Sequence, residues 1–290
     1  MKLARTLTLA AAGAAFVAAA AVSPALAGSR PLRATQRLGT HAHGPLERLA
    51  ALADRLGLDD TQKGEIRAIL HDHRDALTSF AKTELAARTV LNQAIHQPEL
   101  DRAAVTAASA SVARVDADLA VERAGIFADI AAVLTDAQRA QLAAAAESVS
   151  ATVRARVLER LGDPDRPGPL LERFGDRIGL TDAQRSEIEA VLAAHRDTFV
   201  TLAAQEAEVR RALRTAIRQP AVDEAAVRAA STAVAARARE LALERASTFS
   251  EVAAVLIPDQ LARLQEVREA IAAAVRARIE ALVTLTGVLL

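Results

Sequence analysis

Two histidines, His73 and His195, stand in the middle of otherwise apolar helical stripes, and each has a glutamate, Glu122 or Glu244, at a matching place in a second stripe. An imidazole and a carboxylate meeting inside a helical seam can do one of two things. They can form a pair that raises the histidine pKa and fixes the register of the two helices. Alternatively, they can bind a divalent metal such as zinc, although two donors do not complete a tetrahedral shell. A chain that turns near Pro98 brings His73 beside Glu122, and the same turn near Pro220 brings His195 beside Glu244. His71 is the other metal candidate next to His73, but residues i and i+2 of a helix point away from each other. His41-Ala42-His43 could complete a site only by folding back onto the helices. Glu84/Arg88 and Glu206/Arg210 have the i,i+4 spacing of helix ion pairs. There is no cysteine nucleophile, no Gly-rich phosphate loop and no His-Glu-x-x-His zinc motif, so an enzyme is not expected.

What must position these residues is a duplicated helical unit. Residues 58–157 align without a gap with residues 180–279, at a fixed offset of 122. Leu91, Ala94, Ile95, Gln97, Pro98 and Asp101 recur as Leu213, Ala216, Ile217, Gln219, Pro220 and Asp223. His73 and Glu84 recur as His195 and Glu206, whereas His71 becomes Ala193, which weakens a two-histidine chelate. Apolar spacing predicts a short helix ending at Gly57, then a long helix over 60–95 that the Gln97-Pro98 turn stops. A second long helix starts at Asp101 and reaches 134, and another runs over 136–161. The second copy repeats the order, with helices near 170–177, 182–217 and 223–256 and a last one from Pro258.

The outgoing stripe reads Ile66, Leu70, His73, Leu77, Phe80, Glu84, Ala87, Leu91, Ala94. The returning stripe reads Val105, Ala108, Val112, Val115, Leu119, Glu122, Ile126, Val133. Both are narrow, coiled-coil-like seams that can pack on each other. The expected fold is therefore all-α: two tandem repeats, 46–161 and 170–290, each an elongated antiparallel helical hairpin with flanking shorter helices. A helix of this length spans about 50 Å at 1.5 Å per residue. Long thin hairpins bury less surface than a compact bundle, which favours a partner or a dimer.

The remaining segments bound the setting. Lys2 and Arg5, the apolar run Leu7 to Val22 and Ala25-Leu26-Ala27 read as a secretory signal over 1–27, cleaved near Ala27, with a transmembrane anchor as the alternative. Residues 28–45 form a flexible leader, and 162–169 (Gly162 to Pro169) a Pro/Gly linker between the copies. Export normally invites disulfides, yet the chain has no cysteine, so packing alone stabilises it. Lys plus Arg and Asp plus Glu are 36 each, so no basic footprint for nucleic acid exists. Tyr and Trp are absent, which argues against base-stacking platforms and aromatic hot spots. The abundant alanine favours helix but contributes little buried area per residue. The apolar tail Val283 to Leu290 is too short to span a bilayer and is expected to pack on the body or a partner, with a membrane-touching role the lesser option.

Leu134-Thr135-Asp136-Ala137-Gln138 and Leu180-Thr181-Asp182-Ala183-Gln184 are two copies of Leu-Thr-x-x-Gln, each at a helix start. Leu58-Asp59-Asp60-Thr61-Gln62 and Leu256-Ile257-Pro258-Asp259-Gln260 are degenerate copies at the equivalent places. Each intact copy can form a capping box, in which Thr accepts from the backbone three residues on and Gln returns the bond. Asp59 can replace Thr; Ile257 cannot, and Pro258 compensates as a first helical residue with no N–H to leave unsatisfied. With four such motifs at matched ends of long hairpins, the chain resembles the Spy/CpxP family of periplasmic proteins over about 58–161 and 180–282. The resemblance implies an all-helical fold, cradle-shaped dimers of antiparallel hairpins and a periplasmic location. It also implies ATP-independent chaperoning of unfolded envelope proteins, or, in related branches, sensing or buffering of zinc, nickel or cobalt.

Two departures qualify these implications. The units are joined covalently, so one chain can reproduce the family dimer as an internal pseudo-dimeric cradle, with homodimerisation as the alternative. The chain is also charge-balanced, where a basic cradle is expected of the chaperone branch. The expected function is an ATP-independent chaperone whose partners are unfolded proteins, with no nucleic acid, no stable membrane insertion after cleavage and no cofactor. The alternatives are a metal-binding stress sensor or buffer, with zinc or another divalent ion at His71 and His73, and a dedicated regulatory partner of one envelope protein.

Overall fold

The structure is a computed structural model that describes residues 53–145 and 175–289. The expected signal sequence, leader and Pro/Gly linker lie outside the described residues, as do most of the short first helix and the end of the helix that begins at 136. Every regular element described is helical. The long helices are α1 (Asp60–Asp72), α2 (Arg74–Ile95), α3 (Arg102–Val133), α4 (Asp182–Ile217), α5 (Glu224–Val255) and α6 (Pro258–Leu289).

The caps explain where these helices begin. Asp59 and Thr181 each close a capping box with Gln62 and Gln184. Asp101 and Asp223 follow the turns and accept from Ala104 and Ala226 N–H at 2.8 and 2.9 Å. A cap of this kind stabilises a helix by about 1 kcal/mol. The α6 helix starts at Pro258 itself, and the apolar tail is its last turns rather than a separate segment.

One expectation needs correction. The outgoing helix of the first copy is not continuous over 60–95 but breaks at His73 (φ −87°, ψ −1°), whereas its counterpart α4 runs unbroken. The break is slight, because His73 N–H still donates to Ile69 C=O and its own C=O still accepts from Leu77 N–H. The difference between the copies is local: His71-Asp72 precedes the first histidine and Ala193-Ala194 the second. Alanine is the strongest helix former, while histidine and aspartate are poor ones.

Helices α2 and α3 form the first hairpin and α4 and α5 the second, and the two returning arms, α3 and α5, pack on each other as a central pair. Each returning arm therefore carries two buried faces. Leu119, Ile126 and Ile130 of α3 meet Ile66, Leu70 and Leu77 of the outgoing arm, closed at the base by Leu134. Its second face, Val105, Ala120 and Ala124, meets the other hairpin. Ile95 and Val105 pack with Ala242 and Ala246, while Ile217 and Val227 pack with Ala120 and Ala124. These two clusters are the same set of positions exchanged between the copies, so the contact is isologous, as across a dimer two-fold. The antiparallel central pair lets the alanine stretches approach closely, and the larger Val105 and Val227 are fully buried against them.

Candidate functional site

The recurring glutamines do more than cap. Gln62 and Gln138 face each other across the base of the first hairpin and exchange amide bonds, Nε2 to Oε1, at 2.8 and 3.1 Å. Each Oε1 also accepts from its own cap backbone, Asp59 N–H at 3.2 Å and Thr135 N–H at 2.9 Å. Each Nε2 also donates to a carbonyl, Val133 for Gln62 and Leu56 for Gln138. All four hydrogen-bonding positions of each amide are thus satisfied. Gln184 and Gln260 repeat the arrangement at 2.8 and 2.9 Å, donating to the Val255 and Gly179 carbonyls. Ile257, which has no capping side chain, still donates its N–H to Gln260 Oε1 at 3.2 Å. Gly57 and Gly179 adopt φ of 62° and 76°, a left-handed turn that favours glycine, directly before two of the motifs. The motif leucines complete the base: Leu134 and Leu180 are buried, and Leu58 and Leu256 pack against the same cores.

The seam histidines sit where the hairpin register places them. His73 Nδ1 lies 2.7 Å from Glu122 Oε1, and His195 Nδ1 lies 2.6 Å from Glu244 Oε1. Each ring also has a carboxylate on its other side that spacing alone did not reveal, Asp129 at 3.5 Å from His73 Nε2 and Glu251 at 3.0 Å from His195 Nε2. The hydrogen bonds that His195 donates to the Glu244 and Glu251 carboxylates raise its pKa. His71 is exposed beside Asp72 and does not converge with His73. Among the described residues no group of three His, Asp or Glu side chains forms a metal-ion site.

Against known proteins, two successive stretches, 6–141 and 144–263, match the protein-family model described as heavy-metal resistance. The chain belongs to the heavy-metal resistance family. This family lies in the Spy/CpxP-like helical periplasmic group, and the paired match agrees with two tandem copies. No curated protein and no solved structure matches the chain. Among the described residues, no helix is long and apolar enough to cross a membrane.

This heavy-metal resistance family protein also carries a charged cluster at mid-seam. Arg88 bonds Glu84 on its own helix at 2.7 Å and reaches across the hairpin to Asp116 at 3.0 Å. The i,i+4 pair is therefore half-buried and part of a larger group. Burial pushes the Asp116 pKa up and that of Arg123, whose Nε has no hydrogen bond, down. Across the two-fold, Glu206 and Arg210 repeat the pair at 3.0 and 2.6 Å, but the position of Asp116 is Ala238.

The copies also differ at their tips. His96, at the end of α2, stacks edge-on against Phe249 of α5 at 5.0 Å, and Ser250 Oγ donates to Pro98 C=O at 2.8 Å. Arg268 of α6 lies 5.3 Å from the same Phe249 ring. Burial, together with Arg268 and Arg245, lowers the His96 pKa to about 4. At the second tip Val222, equivalent to the packed Leu100, is 45% exposed.

Proposed function

We propose that the protein is a periplasmic ATP-independent chaperone that holds unfolded or misfolded envelope proteins under stress. The observation that carries the reading is the isologous packing of α3 on α5, by which one chain supplies the paired hairpins that chaperones of this group assemble from two. The outgoing arms flank that pair and carry isolated apolar side chains among charges, such as Val90 (55% exposed) and Leu192 (37%). Such a surface offers many weak contacts rather than one tight site, and folding of the client removes its apolar groups from reach. The test is light scattering of a chemically unfolded client diluted into buffer with stoichiometric 28–290, without ATP or metal. Suppressed aggregation is the expected outcome. No suppression across several unrelated clients would sink the reading and favour a dedicated partner.

A second reading, metal sensing or buffering, draws support from the histidines. Glu244 holds Nδ1 of His195 and leaves Nε2 facing Glu251, an orientation that suits a carboxylate-held metal ligand. His73 with Glu122 and Asp129 repeats it. Stoichiometric zinc or nickel binding that His73→Ala and His195→Ala abolish would establish this reading; its absence would refute it.

A further inference from the structure

We propose that the cleft where the start of α3 crosses the second hairpin binds a small zwitterion, an apolar α-amino acid, with its ammonium on Glu240 and Glu244 and its carboxylate on Arg102. The cleft has a volume of about 260 Å³ and is lined by Arg102 of α3, Leu202 of α4 and Glu240, Leu243, Glu244 and Ser247 of α5. The four α5 residues follow the i, i+3, i+4, i+7 spacing that sets side chains on one helix face. Sites for drug-sized ligands run to roughly 300–1,000 Å³, so this one suits a smaller molecule.

The two-fold supplies a comparison at the other end of the molecule. There Arg228 of α5 reaches across to Asp118 of α3 at 3.0 Å while bonding Glu224 of its own helix at 2.7 Å. Its guanidinium thus joins the two positions that correspond to Glu240 and Arg102 of the cleft. At the cleft the equivalent of Arg228 is Thr106, whose hydroxyl turns back to the Arg102 carbonyl at 2.7 Å and does not cross. The place of Phe80, which packs on the core of the first hairpin, is taken by the smaller Leu202; the phenyl ring has moved one turn back, to Phe199 in place of Leu77. The cleft therefore lacks both the bridging cation and the ring.

The charges that remain face both ways. Arg237 bonds Oε2 of Glu240 at 2.6 Å and His195 bonds Oε1 of Glu244 at 2.6 Å, while the second oxygen of each carboxylate accepts nothing from the described residues. With the Ser247 hydroxyl oxygen they offer three acceptors, the number an ammonium group donates to. Arg102 makes no side-chain hydrogen bond or ion pair among the described residues, and its planar fork matches a carboxylate. A simple cation would meet Arg102 and a simple anion the two glutamates, whereas a molecule carrying both charges satisfies both sides. Leu202 and Leu243 give its side chain an apolar wall.

The inference stands independently of the chaperone reading, because the ligand is free in solution and no client takes part. The test is isothermal titration calorimetry of 28–290 at pH 7 with L-leucine, with 4-methylpentanoate, which lacks the ammonium, and with L-leucinamide, which lacks the carboxylate. Leucine should bind saturably, and each analogue about tenfold or more weakly, since each loses a charge-assisted contact. Leu202→Phe and Thr106→Arg copy residues that the other repeat already carries, and each should abolish leucine binding with an unchanged helical circular dichroism spectrum. Arg102→Gln, at an exposed position that bonds nothing through its side chain, should weaken leucine about tenfold and leave leucinamide unaffected. No saturation with leucine up to about 10 mM, leucinamide bound as tightly as leucine, or binding that survives both Leu202→Phe and Thr106→Arg overturns the proposal.

Discussion

His96 makes the stability of this protein depend on pH in a calculable way. Partial burial of its ring against Phe249, with Arg268 and Arg245 nearby, disfavours a second proton and outweighs the opposing effect of the bond from Nδ1 to the Asn92 carbonyl, so the pKa falls from 6.5 to about 4. In the unfolded chain the same ring takes up a proton near pH 6.5. Between these two values the unfolded state binds more protons, so stability falls as the pH drops from 6.5 and the full loss is reached below 4. At pH 5 the unfolded imidazole is almost fully charged and the folded one almost fully neutral, which costs about 2 kcal/mol; the limit below pH 4 is about 3 kcal/mol. His195 works with the opposite sign. Its raised pKa contributes stability that is fully present below 6.5 and lost as the pH rises through the folded value. That term is common to wild type and a His96 variant and cancels in their difference. Urea unfolding of wild type and His96→Gln at pH 7.5 and pH 5.0 isolates the effect. The wild type should lose about 2 kcal/mol more than the variant between the two conditions, whatever the variant's stability at pH 7.5. Equal losses would show that the His96 ring is solvated in the folded protein and that the tip of the first hairpin is not clamped on α5 and α6.

Two further predictions concern the base of the hairpins and the two-fold. Gln62→Glu keeps the shape of the side chain but removes its donor, so the Val133 carbonyl and Gln138 Oε1 each lose a bond and face a carboxylate instead; urea unfolding should show a loss of about 2 kcal/mol at pH 7.5, and a loss near zero would mean that the amide pair contributes nothing beyond the cap. Ala124→Leu and Ala246→Leu each drive a larger side chain into the isologous contact, and each should cost about 1–3 kcal/mol; a cost at one site and none at the other would refute the two-fold equivalence.

What was legible in the sequence was whatever depends on spacing along one helix or on a single turn. The apolar stripes gave the hairpins, and the position of Pro98 and Pro220 placed His73 beside Glu122 and His195 beside Glu244, because one turn fixes the register of two straight helices. Asp129 and Glu251 escaped because they lie two helical turns beyond the predicted partner, on the same face, and a long histidine ring reaches both neighbours at once. The glutamines were legible as caps, since a cap needs three consecutive positions. Their exchange of bonds across the hairpin needs Gln62 and Gln138 at the same height, which the motif alone does not encode. A signal was nonetheless present: a residue needed only as a cap partner can be Glu or Gln, and all four positions hold Gln, the one choice that donates as well as accepts.

The inter-repeat face was the least legible part, and the reason is chemical. Alanine is equally at home on a solvated helix and in a close helix–helix contact, so Ala120, Ala124, Ala242 and Ala246 carry no information when read singly. They become informative through duplication: the same small residues at both copies of a position, on the side of the returning arm away from its own seam, mark a face that a larger side chain would wedge open. A returning arm apolar on two sides also loses the one-sided pattern of its outgoing partner, and that loss is itself a sign of a central helix. The departures from symmetry carry the complementary lesson. Packing positions such as Ile95/Ile217 and Val105/Val227 tolerate little change because each is its own partner's partner. Charged positions are released from that constraint once the copies share a chain, since Asp116 can become Ala238 in one copy without changing the other. In a true homodimer that substitution would strip both halves of the carboxylate. Covalent duplication is thus what permits one repeat to keep two carboxylates, Glu84 and Asp116, beside Arg88 and Arg123, while the same positions of the other hold one, Glu206, beside Arg210 and Arg245.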